Sequence, residues 1–219
     1  MDCKPKRRRI MISKLTRILT AIVGFLPLII GVLLYSRLPE SVATHWDFSG
    51  NINGTSSRVV AAIVIPGIFF LLTLAMPALL KIDPKYKNMS HELVNIIIWA
   101  IPLISFVLCS ICYANALGYN VDVATVVPIL IGIMFIIIGN YLPKTHQSYT
   151  MGIRLPWTLN SEENWNRTHR LAGWLWMIGG LLIALSPLLP LTWLWFAIAI
   201  AIMTLVPAVY SYILYSKGI

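Results

Sequence analysis

Six apolar stretches, each of about twenty residues or more, constrain this chain more than any other feature. They are Ile18–Ser36, Val59–Leu80, Leu93–Leu117, Val123–Leu142, Leu171–Pro190 and Leu191–Ser216, and none contains Asp, Glu, Lys, Arg or His. A bilayer core about 30 Å thick is crossed by about 20 helical residues. Within that core each backbone N–H and C=O must be paired inside the segment, which makes helix the natural form of such a run. The last two stretches are one uncharged run, too long for a single crossing. Its predicted break is Ser186-Pro187-Leu188-Leu189-Pro190, because proline removes a donor and disfavours helix in the residue before it. The pattern predicts an all-α integral membrane protein: six transmembrane helices, both termini cytoplasmic.

Composition excludes the main alternatives. The chain is 58% hydrophobic and 11% charged, where a soluble domain carries about 25% charged residues. That little polar surface cannot cover a globule of this size. The net charge of +9 invites a nucleic-acid reading, but the cations fall in the connections. The leader holds Lys4, Lys6, Arg7, Arg8, Arg9, Lys14 and Arg17; the loop after the second span holds Lys81, Lys85 and Lys87. The loop after the fourth holds Lys144, Arg154, Arg167 and Arg170, and the tail Lys217. Fifteen cations thus share one side, against Arg37 and Arg58 on the other. The positive-inside rule makes the richer side cytoplasmic, which agrees with an even number of crossings. No nucleic-acid partner is expected; the first partner is the lipid bilayer.

The division that follows is a basic cytoplasmic leader (1–17), an N-terminal two-helix membrane unit (18–80) with an outer loop (37–58), and a four-helix unit (81–219) with a cytoplasmic loop (143–170). The first apolar run has no small-x-small cleavage site after it, so it is expected to stay as a signal anchor. Cys109-x-x-Cys112 lies inside an apolar span with no second ligand pair, which points to packing rather than zinc or redox chemistry. Gly173, Gly179 and Gly180 offer a close-packing face in the fifth span. Intramembrane coupling chemistry needs ionisable groups at depth, and the six cores have none.

Two loops are richer than a topology needs. The outer loop runs Leu38-Pro39 through Thr44-His45-Trp46-Asp47 to Gly50 and Gly54, with glycines and asparagines suited to tight turns. His45 and Asp47, two apart, would share a side of an extended segment, but two ligands do not make a metal site. The simpler expectation is an interfacial turn anchored by Trp46 with a solvated histidine. In the second loop, Asn160 and Glu163 have capping-box spacing, so a helix is predicted to start at Asn160. Glu162 and Glu163 then sit in its first turn, and Trp165, His169 and Gly173 follow at four-residue steps on one face. Pairing of either glutamate with His169 would be needed for hydrolysis; helix-end electrostatics explains those glutamates better, and no enzyme activity and no cofactor is expected.

The run Gly139-Asn140, Gly152-Ile153-Arg154-Leu155-Pro156-Trp157-Thr158-Leu159, then Trp165 with Thr168-His169-Arg170, resembles the signature of the SdpI family of bacterial multi-pass immunity proteins. The stretch from Leu38-Pro39 through Thr44-His45-Trp46 to Gly50 is similar to a small membrane domain that often precedes it. Leu155 and Ser148 depart from the family pattern, which has Thr and Asn there. The resemblance implies a protein of the bacterial plasma membrane that protects against a secreted peptide toxin and in some cases tethers a cytosolic transcriptional repressor. It also marks His45, Trp46, Gly50, Asn140, Gly152, Arg154, Pro156, Trp157, Thr158, Trp165, Thr168 and His169 as motif or partner-contact residues. A transporter or flippase for a peptide or lipid is the alternative.

Overall fold

A computed structural model describes residues 12–219 apart from 85, 87, 88, 90 and 150. Cys3, the leader cations Lys4 to Arg9, Lys85 and Lys87 therefore lie outside the described residues. Six helices are long and apolar enough to cross a membrane. They are α1 (Lys14–Leu34), α2 (Ile65–Ile82), α3 (His91–Ala116), α4 (Val123–Tyr141), α6 (Glu162–Leu185) and α7 (Thr192–Ser216); a one-turn α5 (Pro156–Asn160) precedes α6. The helical class stands, with one addition that hydropathy did not signal. The outer loop is an antiparallel hairpin of β1 (Ser41–Trp46) and β2 (Ile52–Ser57).

The ends of the helices follow from local chemistry. The Ser13 hydroxyl accepts from the Thr16 N–H at 2.9 Å and caps α1. Asp122 caps α4 by accepting from the Thr125 N–H at 3.2 Å. The expected start of α6 at Asn160 is corrected by one residue. Pro156 opens its own turn and consumes Asn160 as the last residue of α5, so Ser161 becomes the cap and accepts from the Asn164 N–H at 3.2 Å. Glu162 and Glu163 still occupy the first turn of α6. The break between α6 and α7 falls in the proline-bounded run: a 3₁₀ turn at Ser186–Leu188, then Leu191 at φ 57° before Thr192.

The helices pack in two triplets. One is α1, α2 and α3; the other is α4, α6 and α7. Although α3 follows the loop at which the sequence was divided, it packs on α1 and α2. Near the hairpin, Leu38, Val42, Ala61, Ala62, Cys109 and Tyr113 form a buried cluster, and the Tyr113 hydroxyl donates to the Pro27 carbonyl at 3.2 Å. Cys109 and Cys112 are free, and Cys109 is buried in that cluster. At the opposite end Ile12, Leu80, Met89, Val94 and Ile98 form another cluster, joined by Met151 from the loop before α5. The Asn164 side chain donates to the carbonyl of Ile219, so the described ends of the chain share one face with the 143–170 loop. We call that the elbow face and the other the hairpin face.

Close approach of α4 to α6 is built on glycine. A side-chain carbon on Gly132 would strike the Gly180 carbonyl, and one on Gly180 would lie 2.6 Å from the Gly132 carbonyl. One turn and more towards the elbow, a carbon on Gly173 would lie 2.8 Å from the Gly139 carbonyl. Gly179 faces α7 instead, against Met203. Of the glycine face expected on the fifth span, Gly173 and Gly180 pack on Gly139 and Gly132, while Gly179 serves a different helix. Large side chains such as Leu33, Leu71, Ile178 and Leu205 point outward from both triplets, as lipid-facing positions require. Replacing Gly180 with valine should cost about 1–3 kcal/mol by overpacking, read as a lower denaturation midpoint in micelles. Gly67→Ala, where a side-chain carbon meets nothing within 4 Å, should leave that midpoint in place.

Candidate functional site

The elbow is a polar knot tied on the first two turns of α6. Trp165 and His169 are fully buried, one helical turn apart, with rings stacked at 3.9 Å between centroids and 21° between planes. The Trp165 indole N–H donates to the Thr145 carbonyl at 2.8 Å, which fixes the chain just beyond α4. The His169 Nε2 accepts from the Ile153 N–H at 2.9 Å, and Nδ1 lies 2.8 Å from the Trp165 carbonyl. A nitrogen that accepts carries no proton, so Nδ1 is the donor and the imidazole is neutral. Gly152 makes this approach possible. It has φ +98°, and a side-chain carbon there would strike His169 Nε2 and crowd Trp165.

A second set of contacts holds α5 and α7. The buried Thr158 hydroxyl donates to the Ile153 carbonyl at 2.8 Å and accepts from the Leu155 N–H at 2.9 Å, so it closes the turn that Pro156 begins. Gln147 donates to the Thr158 carbonyl at 3.0 Å. The Trp157 indole N–H reaches the Ser211 hydroxyl of α7 at 2.7 Å, and its ring stacks on Tyr215 at 5.7 Å. Asn164 donates to the Ser211 carbonyl at 3.0 Å and accepts from the Thr168 hydroxyl at 3.1 Å. The loop is also tied to the other triplet: the Ser148 hydroxyl donates to a carboxylate oxygen of buried Asp83 at 2.7 Å, just past α2.

Of the motif residues marked in the sequence, Gly152, Pro156, Trp157, Thr158, Trp165, Thr168 and His169 come together here. Arg154 sits at the rim, exposed, and its guanidinium donates to the Tyr149 carbonyl at 2.6 Å. Asn140 is exposed on the last turn of α4, apart from the knot; its neighbour Gly139 does the packing. Sequence reasoning missed Thr145, Asn164, Ser211 and the Asp83–Ser148 bond. Asn164 stands four residues before Thr168, a spacing that could have suggested their contact; Ser211 and Asp83 carried no such signal. The glutamate–histidine pair that hydrolysis would need is not formed: Glu163 binds Arg167 at 2.5 Å on the exposed side of α6, while His169 is spent on Ile153 and Trp165.

His45, Trp46 and Gly50 lie on the other face. His45 is exposed in β1, with Nδ1 2.5 Å from Asn53 Oδ1 across the hairpin. Asp47 turns into the loop instead, accepting from the Ser49 and Asn51 N–H groups, each at 2.9 Å, and from the Asn51 amide. The backbone donor of Asn51 is the main reason its carboxyl titrates below the usual range. His45 and Asp47 thus take separate partners rather than forming a shared ligand pair. Gly50, at φ +83°, brings the tip against Ala124 of α4, and Phe48 meets Phe196 of α7 edge-on at 5.5 Å.

These features define a six-helix membrane protein with a hairpin across one face and a hydrogen-bonded elbow across the other. Residues 144–211, running from the start of the elbow to Ser211 of α7, match the SdpI/YfhL protein family. Residues 22–70, covering most of α1, the hairpin and the first part of α2, match a domain of unknown function, DUF1648. The chain is also similar to the Immunity protein SdpI of Bacillus subtilis (strain 168), 27% identical over 173 residues, 76% of this chain and 79% of that protein. No solved structure matches it. The matched region begins one residue before Thr145 and ends on Ser211, both of the elbow knot. Replacing His169 with leucine strands the Ile153 N–H, at a cost of about 1–3 kcal/mol. Gly152→Ala should do at least as much damage, through both its φ and the crowding of His169. Each should expose the 145–155 loop to limited proteolysis in micelles, whereas Asn140→Ala should not.

Proposed function

We propose that this chain is a multi-pass immunity protein of the bacterial plasma membrane, protecting its producer from a secreted peptide toxin that attacks membranes. The observation that carries the reading is that the SdpI/YfhL match coincides with the knotted elbow, while a relative named as an immunity protein spans three quarters of the chain. The positive-inside rule puts the elbow face in the cytosol. A secreted toxin then meets the hairpin face, with Trp46, Phe48 and the His45–Asn53 pair closest to it. The elbow, with Arg154 at its rim, is the face on which a cytosolic repressor would be tethered. The role is one of binding, not catalysis, in keeping with a histidine whose two nitrogens are both occupied by backbone groups.

The test is survival of a toxin-sensitive bacterium that expresses the chain and is challenged with candidate killing peptides. Wild type should protect. Trp46→Ala should lower survival at unchanged membrane abundance, while Arg154→Ala should spare survival and weaken recruitment of a cytosolic partner. Reporter fusions in the 143–170 loop should read as cytoplasmic. Survival that depends on Arg154 alone, with that loop reporting outside, would overturn the assignment.

A further inference from the structure

The function above makes no use of a cleft of about 380 Å³ between α1 and α2 at the elbow end of the first triplet. Its size falls in the range of small-molecule sites, roughly 300–1,000 Å³. Two cations, Arg17 near the start of α1 and Lys81 in the last turn of α2, line it. The rest of the wall is apolar or already satisfied. Thr20 and Thr73 are buried and their hydroxyls donate to carbonyls of their own helices, at 2.9 Å to Thr16 and 2.8 Å to Phe69. Pro77 and Ala78 supply small, apolar surface beside them.

Charge decides what fits. Both Arg17 and Lys81 are exposed, and among the described residues neither has a carboxylate within ion-pair distance. The charge of Arg17 also acts on Tyr86, whose hydroxyl is buried without a hydrogen-bond partner. Burial raises that phenol above its ordinary range, and the guanidinium only partly opposes the rise. Arginine and lysine at one end of α1 and α2 are thus donors in want of an anionic oxygen, above an apolar slot that runs between lipid-facing helices. Clusters of basic residues between membrane helices near the headgroups have the chemistry for phospholipid phosphates.

We infer that this cleft binds one anionic phospholipid, with its phosphate between Arg17 and Lys81 and the upper part of an acyl chain along Pro77 and Ala78. The site is separate from the elbow knot and does not depend on the immunity reading. It adds a tie between α1 and α2 at their elbow end, beyond the direct packing of the two helices.

The experiment uses the purified full-length protein in micelles, incubated with equal amounts of phosphatidylglycerol and phosphatidylethanolamine of matched chains, and native mass spectrometry to read the lipid retained. Wild type should retain phosphatidylglycerol by roughly tenfold or more over its zwitterionic partner. The double variant Arg17→Gln/Lys81→Gln should fall to near parity. Arg170→Gln/Lys217→Gln removes the same charge elsewhere on the same face and should leave the preference intact. Ala78→Phe keeps both cations but fills the slot, and should lose retention of either lipid; thermal melting in micelles confirms that each variant is folded. Equal retention of the two lipids by wild type, or equal loss in both double variants, overturns the site in favour of general attraction to charge.

Discussion

In a bilayer, helices gain nothing by hiding leucine from leucine, because lipid tails are as apolar as the side chains. What draws two of them together is close contact, and the closest here is α4 on α6. Gly132 meets Gly180 and Gly139 meets Gly173, with each pair seven residues from the next on its own helix. In antiparallel helices two turns apart, that spacing sets one register and no other. The register puts the first turns of α6 beside the chain that leaves α4. Trp165, two turns before Gly173, then finds the Thr145 carbonyl, and His169 finds the Ile153 N–H. The elbow is a consequence of the glycine contact, which is why a change deep in the membrane and a change in the loop should both loosen it.

The spans were legible because a hydropathy window reads what lipid demands of a helix; every predicted span lies on an observed one. Their ends were less legible. Capping depends on which hydroxyl reaches which N–H, and a one-turn helix at Pro156 was enough to move the cap from Asn160 to Ser161. The hairpin escaped notice for another reason. Only Val42 of β1 is buried, so the strand lacks the alternation of apolar and polar residues by which strands are read. Gly132 and Gly139 contribute almost nothing to a hydropathy count, yet they do the work of the largest interface. The Asp83–Ser148 bond joins residues 65 apart, and no local pattern announces such a pair.

The chemistry of the elbow explains why it is a scaffold. Its buried groups in α6 are neutral: an imidazole with both nitrogens engaged, an asparagine, a threonine and an indole. A neutral network is satisfied by hydrogen bonds alone, whereas a buried ion carries a desolvation cost that needs a close counter-ion. The charges of α6 are kept outside, in the exposed Glu163–Arg167 pair. That pair contributes little to stability, since exposed ion pairs are worth about 0–1 kcal/mol. In α6 the elbow therefore keeps its buried groups neutral and its charges on the exposed side.

The two triplets are joined mainly at their faces. Among the described residues, helices of one triplet make no extended packing with helices of the other. On one face the hairpin, rooted in the first triplet, touches the second through Phe48 on Phe196 and Gly50 on Ala124. On the other the elbow, rooted in the second, reaches the first through Ser148 to Asp83 and Met151 among Ile12, Leu80 and Ile98. Each strap thus holds one end of the same seam. Binding at one strap that favours a particular spacing of the triplets must favour, by the same free energy, the arrangement of the other strap that goes with it. Among the described residues the seam is thus fastened at its two ends, by the hairpin on one face and the elbow on the other.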